Sequence, residues 1–158
     1  MRSSVDIGLF FEDSLVASMS FSKARFMKSQ NCYELTRFCT KMNMSVIGGA
    51  GKLLKYFEQR YSPLKLVSYA DRRWSTGKLY ETLGFRLKNI SKPCQWYFKN
   101  GSLVLQSRLR FQKHRLAKIL DKYDPDKTEI ENMFNNGYNM IYDCGNLVYV
   151  KDYSNVAS

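Results

Sequence analysis

The sequence predicts an α/β fold: a mixed, mostly antiparallel, twisted sheet with helices packed on it, then C-terminal helices and a hairpin. Three observations carry this. Strand-length and helix-length segments follow one another in the order β-β-β-α-β-α-β-β. Gly48, Gly49, Ala50 and Gly51 cluster at a strand-to-helix junction. Hydrophobic residues make up 44% of the 158 positions and aromatics 15%, which suits one folded core and excludes a disordered chain.

Each element has its own signal. Asp6–Phe11 and Leu15–Phe21 are short apolar runs joined by Glu12-Asp13-Ser14, which reads as a β-hairpin. A basic loop from Ser22 to Asn31, with Lys23, Arg25 and Lys28, leads to an alternating third strand, Tyr33–Thr40. After the glycine turn a helix is expected from Gly51 to Tyr61, with Leu53, Leu54 and Phe57 on one face and Pro63 beyond its end. Leu64–Ala70 reads as a buried strand, and Ser75–Leu83 as a helix stopped by Gly84 in a left-handed position. Phe85–Ile90, Gln95–Lys99 and Leu103–Phe111 follow as strands, the last two joined by an Asn100-Gly101 turn. Lys113–Tyr123 is expected as a basic helix, and Thr128-x-x-Glu131 is a capping box that opens another, stopped by Asn136-Gly137. Tyr138–Asp143 and Leu147–Lys151 are expected to form a terminal hairpin around Cys144-Gly145-Asn146. Residues 1–111 are taken as one domain, with 112–158 packed on it.

The formal charge is +11 and the pI about 9.6, which favours polyanionic partners; nucleic acid leads. Cys32, Cys39, Cys94 and Cys144 form no C-x-x-C pair, and one histidine completes no common zinc set, so no metal is expected. They read as reduced thiols of a cytoplasmic protein. Neither a signal peptide nor a membrane-length apolar run is visible, so no membrane partner is expected.

The chemistry-bearing segments are few. Gly48, Gly49, Ala50, Gly51 and the N–H of Lys52 fit an anion cradle at a helix N-terminus, suited to a phosphate or pyrophosphate; the same glycines also fit a merely close turn. A P-loop is excluded, because Leu53 follows Lys52 where Ser or Thr is required. In Ser68–Tyr80, Asp71 suits proton acceptance from an amine or a turn cap, and Tyr80 suits proton donation or core packing. Arg72, Arg73 and Trp74 place cations beside an aromatic, as phosphate contact with base stacking needs, or form a solvated loop. Lys113, His114, Arg115 and Lys118 make a basic face for the nucleic-acid backbone.

From Ile7 to Phe98 this pattern resembles the GNAT acyltransferase superfamily, through strand Tyr33–Thr40, turn Gly48–Gly51, strand Leu64–Ala70 and Leu79-Tyr80-Glu81-Thr82-Leu83-Gly84-Phe85. The resemblance implies a pyrophosphate of acetyl-CoA or another acyl-CoA at the glycine turn, with Tyr80 as general acid to the leaving thiolate. Ser45 stands where that family has Gln or Arg. The chain is expected to start near the fold's second strand, an N-terminally truncated version. Glu34-Leu35-Thr36-Arg37 with Ser68-Tyr69-Ala70-Asp71 and Gly77-x-x-Tyr80 is similar to the phage Mom proteins, which modify adenine in DNA. That likeness implies base modification with Tyr80, Asp71 and Arg37 at the catalytic site. Asn136-Gly137-Tyr138 and Tyr142–Asn146 are similar to C-terminal domains of phage homing endonucleases, which implies the alternative of a non-catalytic DNA-binding domain.

Overall fold

A computed structural model describes residues 5–24 and 31–154. Arg25 and Lys28 of the expected basic loop lie outside the described residues. The chain groups into two compact units, residues 1–91 with 146–158, and residues 92–145. The boundary expected at 111/112 thus falls within the second unit.

The first unit is a six-stranded sheet with two helices. Strands β1 (Val5–Phe11) and β2 (Ser14–Lys23) form the expected hairpin. Glu12 and Asp13 both adopt positive φ, as a two-residue turn matching the twist of the strands requires. β3 (Cys32–Thr40), α1 (Gly49–Tyr61), β4 (Lys65–Asp71), α2 (Lys78–Thr82) and β5 (Arg86–Ile90) follow, and β9 (Asn146–Asp152) returns from the far end of the chain. The sheet order is β1-β2-β3-β4-β9-β5, antiparallel throughout except for β3 beside β4.

The expected face of α1, with Leu53, Leu54 and Phe57, is the buried one. Phe57 stacks on Phe21 of β2 with ring centroids 3.6 Å apart and on Tyr61, and meets the edge of Tyr33. Glu58, on the next position, accepts from Lys151 Nζ at 2.7 Å and from the Tyr153 hydroxyl, which ties α1 to the end of β9. α2 is shorter than expected. Gly77 begins it with φ 84, and Gly84 closes it with φ 80, as the sequence predicts.

The second unit holds β6 (Gln95–Lys99), β7 (Gln106–Ser107) and β8 (Tyr138–Tyr142) in the order β7-β6-β8. Helices α3 (Lys113–Leu116) and α4 (Glu129–Asn135) complete it around Tyr97, Phe111, Leu116, Leu120 and Met133. The capping box at Thr128 and Glu131 is present.

Three expectations need correction. The strand Leu103–Phe111 reduces to Gln106–Ser107 and a 3₁₀ turn over Arg108–Phe111, since Leu103 is 99% exposed and has no face to bury. The basic helix Lys113–Tyr123 ends after one turn. Asn132 and Asn136 of α4 bond the backbone of Asp124 and Lys122 through both amide atoms, and so take over groups a continuing helix would use. The terminal hairpin does not form: β8 pairs with β6, whereas β9 lies between β4 and β5. Leu147 and Tyr149 pack in the α1-side core and Val148 and Val150 on the other face, the pattern of an interior strand.

Candidate functional site

The site begins with a failure of pairing. β3 and β4 run parallel but are in register only over Cys32–Glu34 against Lys65–Val67. Beyond those three pairs the strands part. The cause sits in β3: the register with β2 passes from Phe21 opposite Leu35 to Ser20 opposite Arg37, which leaves Thr36 as an extra, bulged residue. Its hydroxyl donates to the Ser20 carbonyl at 3.0 Å. The bulge also resets alternation. Leu35 and Phe38 both face α1, and Arg37 is exposed on the opposite face. Ser68 of β4, 1% exposed, donates to the Leu35 carbonyl at 2.7 Å and satisfies a group that the parted ladder leaves behind.

On the α1 side a cavity of about 450 Å³ lies beside this opening. Phe38 and Thr40 of β3, Ser45, Gly48 and Gly51 of the turn, and Leu79 and Thr82 of α2 line it. Gly48 is the N-cap, with φ 72 and no side-chain cap. The helix starts earlier than expected, so Gly49, Ala50 and Gly51 are its first turn. The Gly49 N–H bonds to Val46 O at 3.1 Å and the Lys52 N–H to Gly48 O at 3.0 Å. Among the described residues the N–H groups of Ala50 and Gly51 take no acceptor. A Cβ on Gly48 or Gly51 would meet nothing within 4 Å, and Gly48, Ala50 and Gly51 all line the cavity. No acidic side chain lies in the first turn to offset the helix's positive end.

The sequence-predicted residues are distributed as follows. Gly48, Ala50 and Gly51 line the cavity; Gly49 and Lys52 belong to the same turn, with Gly49 buried against Val46. Tyr80 does not line it. Its ring stacks on Tyr149 at 5.2 Å and meets the edge of Phe85 at 5.8 Å. Asp71 ends β4 on the face opposite α1 and is held by Arg73, through the backbone N–H at 2.9 Å and Nη2 at 2.6 Å. The Arg73 guanidinium holds this carboxyl below its ordinary value. Arg72, Arg73 and Trp74 form the turn after β4, where Trp74 is 84% exposed. Lys113, His114, Arg115 and Lys118 are exposed in the second unit.

Sequence reasoning missed several contributors. Phe38, Thr40 and Thr82 line the cavity, and Ser68 braces its opening. Tyr69 and Glu34 share the face opposite α1 with Arg37 and Asp71; burial first, then the Glu34 charge, pushes the Tyr69 phenol above its ordinary value. Tyr149 was also unmarked. Its hydroxyl donates to Glu81 Oε1 at 3.0 Å and lies where a Cβ on Gly77 would be, 2.1 Å away. The unbroken apolar run Leu147–Val150 was the available signal.

No family model matches the chain, and neither does any curated protein. Solved structures do. An acetyltransferase from Bacillus subtilis in complex with CoA is similar at 16% identity and a TM-score of 0.50, over 90% of this chain and 72% of that one. A GNAT family acetyltransferase from Elizabethkingia anophelis with acetyl-CoA bound is similar at 15% identity and a TM-score of 0.47, over the same shares. The first likeness establishes the architecture: the chain has an acetyltransferase fold, in line with the GNAT-like sheet and helices that the sequence predicts.

Proposed function

We propose that this protein transfers an acyl-derived group from an acyl-CoA to an amine of a DNA base. The observation that carries the reading is the pair of open amides, Ala50 and Gly51, at an uncompensated helix N-terminus on the wall of the cavity where β3 and β4 part. The solved acetyltransferase structure similar at a TM-score of 0.50 holds CoA. The residues fit such a ligand. The turn offers N–H donors and the helix dipole to a pyrophosphate, and the unpaired stretch of β3 offers backbone groups to the amides of a pantetheine arm.

When bound, acyl-CoA supplies an activated thioester carbonyl. The chain's own residues hold and orient. Ala50 and Gly51 fix the phosphate end, Phe38, Leu79 and Thr82 bound the cavity, and Ser68 keeps the strands apart at a fixed spacing. The acceptor approaches from the face with Glu34, Arg37, Tyr69 and Asp71. Proton transfer from the attacking amine and to the departing sulfur falls to Asp71 and Tyr80, with Arg37 shaping the site. For both, the hydrogen bonds and stacking seen here must rearrange on binding. Arg72, Arg73, Trp74 and the Lys113–Lys118 segment contact DNA, where a stacked base is presented by flipping at a cost of a few kcal/mol.

A second reading is favoured by one observation: Asp71 is already engaged by Arg73, and Tyr80 is packed on Tyr149 away from the cavity wall. In it the domain binds DNA without catalysis. Calorimetric titration with acetyl-CoA, followed by mass spectrometry of nucleosides from treated DNA, separates the two. The enzyme binds the cofactor and leaves a heavier base. The binding domain does neither, yet binds DNA with an affinity that falls steeply with salt.

A further inference from the structure

We propose that the tip of the β6–β7 hairpin, Leu103 with Val104, is a wedge that enters a base step of duplex DNA and opens it. The inference rests on DNA as the partner in the function proposed above, and not on acyl transfer.

Charge in the second unit is divided along the chain. From residue 82 to residue 120 the sequence has no Asp or Glu. In that stretch Lys99, Arg108, Arg110, Lys113, Arg115 and Lys118 are all exposed. The acids come afterwards, and the fold engages them. Glu129 accepts from the Tyr97 hydroxyl at 3.0 Å and from Arg108 Nε at 2.8 Å. Asp124 pairs with Lys127, Glu131 caps α4, and Asp143 accepts from the Cys94 and Gly145 N–H groups, both at 2.8 Å. Among the described residues no ion pair holds Lys99, Arg110, Lys113, Arg115 or Lys118. Such a stretch suits the phosphates of a polyanion.

Apolar side chains stand in the same stretch. β6 and β7 pair through Trp96 with Ser107 and Tyr97 with Gln106, so residues 98–105 connect them. The connection is held by its own bonds. The Ser102 N–H donates to Lys99 O at 2.9 Å, across a turn with Gly101 at φ 76. The Asn100 N–H donates to Gly137 O at 2.8 Å, and the Val104 N–H to Ser102 Oγ at 3.2 Å. Just past this turn Leu103 is 99% and Val104 66% exposed. Beyond β7, Leu109 is 69% exposed, and its carbonyl accepts from Arg115 Nη1 at 3.4 Å. Tyr97 and Phe111, both buried in the unit's core, anchor the two sides of the hairpin.

A leucine held in water at a turn, in a stretch of cations, fits a partner that is anionic outside and apolar within. Duplex DNA has this character: phosphates line its surface, and the stacked base faces are apolar. Aliphatic wedges flanked by Arg and Lys unstack a base step and kink the duplex. Two aliphatic side chains suit one opened step. An anionic lipid surface calls for a wider apolar face with aromatic anchors, and residues 102–107 contain no aromatic. An opened step also lowers the cost of turning out a stacked base, which an amine acceptor in a duplex requires.

Three measurements on the full chain test this. They are anisotropy of a labelled duplex of about 30 base pairs, end-to-end energy transfer in that duplex, and affinity for a duplex with one mismatched step. The expected protein binds, raises energy transfer as the ends approach, and binds the mismatched duplex about tenfold tighter because that step is already weakened. Leu103→Ser with Val104→Ser, at exposed positions, should keep the circular dichroism and the log–log salt slope but lose the kink and the mismatch preference. Arg110→Ala with Lys113→Ala should do the reverse, lowering the slope while the bound duplex stays kinked. Binding without a kink or a mismatch preference overturns the wedge and leaves DNA as the partner. So does a double serine variant that behaves as the parent chain. Absence of DNA binding overturns the wedge and the DNA reading together, and phosphatidylserine vesicles bound through the same tip would then identify a lipid surface as the partner.

Discussion

Gly51 illustrates how one residue can separate fold from function. A Cβ there meets nothing within 4 Å, and the position lies in the first turn of α1. Gly51→Glu should raise helix stability by about 0.5–1 kcal/mol, since glycine is a poor helix former and an acid suits the positive end. The same carboxylate occupies the space proposed for a pyrophosphate. Thermal melts should therefore rise slightly while acetyl-CoA affinity in calorimetry falls at least about tenfold; unchanged affinity would remove the turn from cofactor binding. Gly77 is the opposite case. Its φ of 84 disfavours any Cβ, and Tyr149 leaves no room for one. Gly77→Ala should cost about 2–3 kcal/mol in denaturant unfolding. The glycines were legible as special in the sequence. The reason for Gly77 was not, because Tyr149 is distant in the chain and joins it only through β9.

Among elements, the most reliable expectations were those with local signals: the β1–β2 hairpin, the buried face of α1, the stop at Gly84 and the capping box of α4. The bulge at Thr36 was missed, although apolar Leu35 and Phe38, three residues apart, break the alternation of the run. It puts Leu35 and Phe38, three residues apart, on the same face and opens the sheet. The basic helix after Lys113 misled for another reason. Helical periodicity continues past Leu116, but Asn132 and Asn136 compete for the backbone from elsewhere in the chain. Asn132 is fully buried and bonds Asp124, Lys127 and Thr128. Asn132→Ala should cost about 2–4 kcal/mol, because several buried backbone groups lose their partner. Hydrogen exchange should show the loss in residues 120–137, and a neutral result would mean that water replaces the amide.

For the whole molecule, stability should be flat from about pH 5 to about pH 9 and fall on both sides. Asp152 is held below its ordinary value by Lys65 and then Ser154, Asp71 by Arg73, Glu131 by Thr128, and Asp124 by the Asp126 amide and Lys127. A lowered carboxyl stabilises the fold above its unfolded value, and that contribution is lost as pH falls through the folded one. Glu131 and Asp152 are exposed and Asp71 and Asp124 partly so, so solvent screening keeps the acid limb shallow. Tyr97 is pushed up to about 12 by burial and then Glu129. Its contribution is complete below about pH 10, the unfolded value, and is lost above it. Denaturant midpoints across pH check both limbs; a stability maximum at the pI would contradict them. The +11 charge predicts that DNA binding weakens with salt, and Lys113→Ala should reduce the log–log slope by about 0.9 if that side chain neutralises a phosphate. Composition is what raises this partner class as an expectation, but it carried no trace of the division into two units. That division has a temporal side. The second unit is inserted between β5 and β9, and Ser91 and Asn146, at the two ends of the insertion, bond each other through Ser91 N–H to Asn146 O and Asn146 N–H to Ser91 Oγ, both at 2.8 Å. β9 fills the gap between β4 and β5, so a growing chain that has reached Gly145 has completed the inserted unit but not the sheet that precedes it. On the ribosome the later-encoded unit can therefore fold first, and the earlier one waits, with β4 and β5 unbridged, for its last strand.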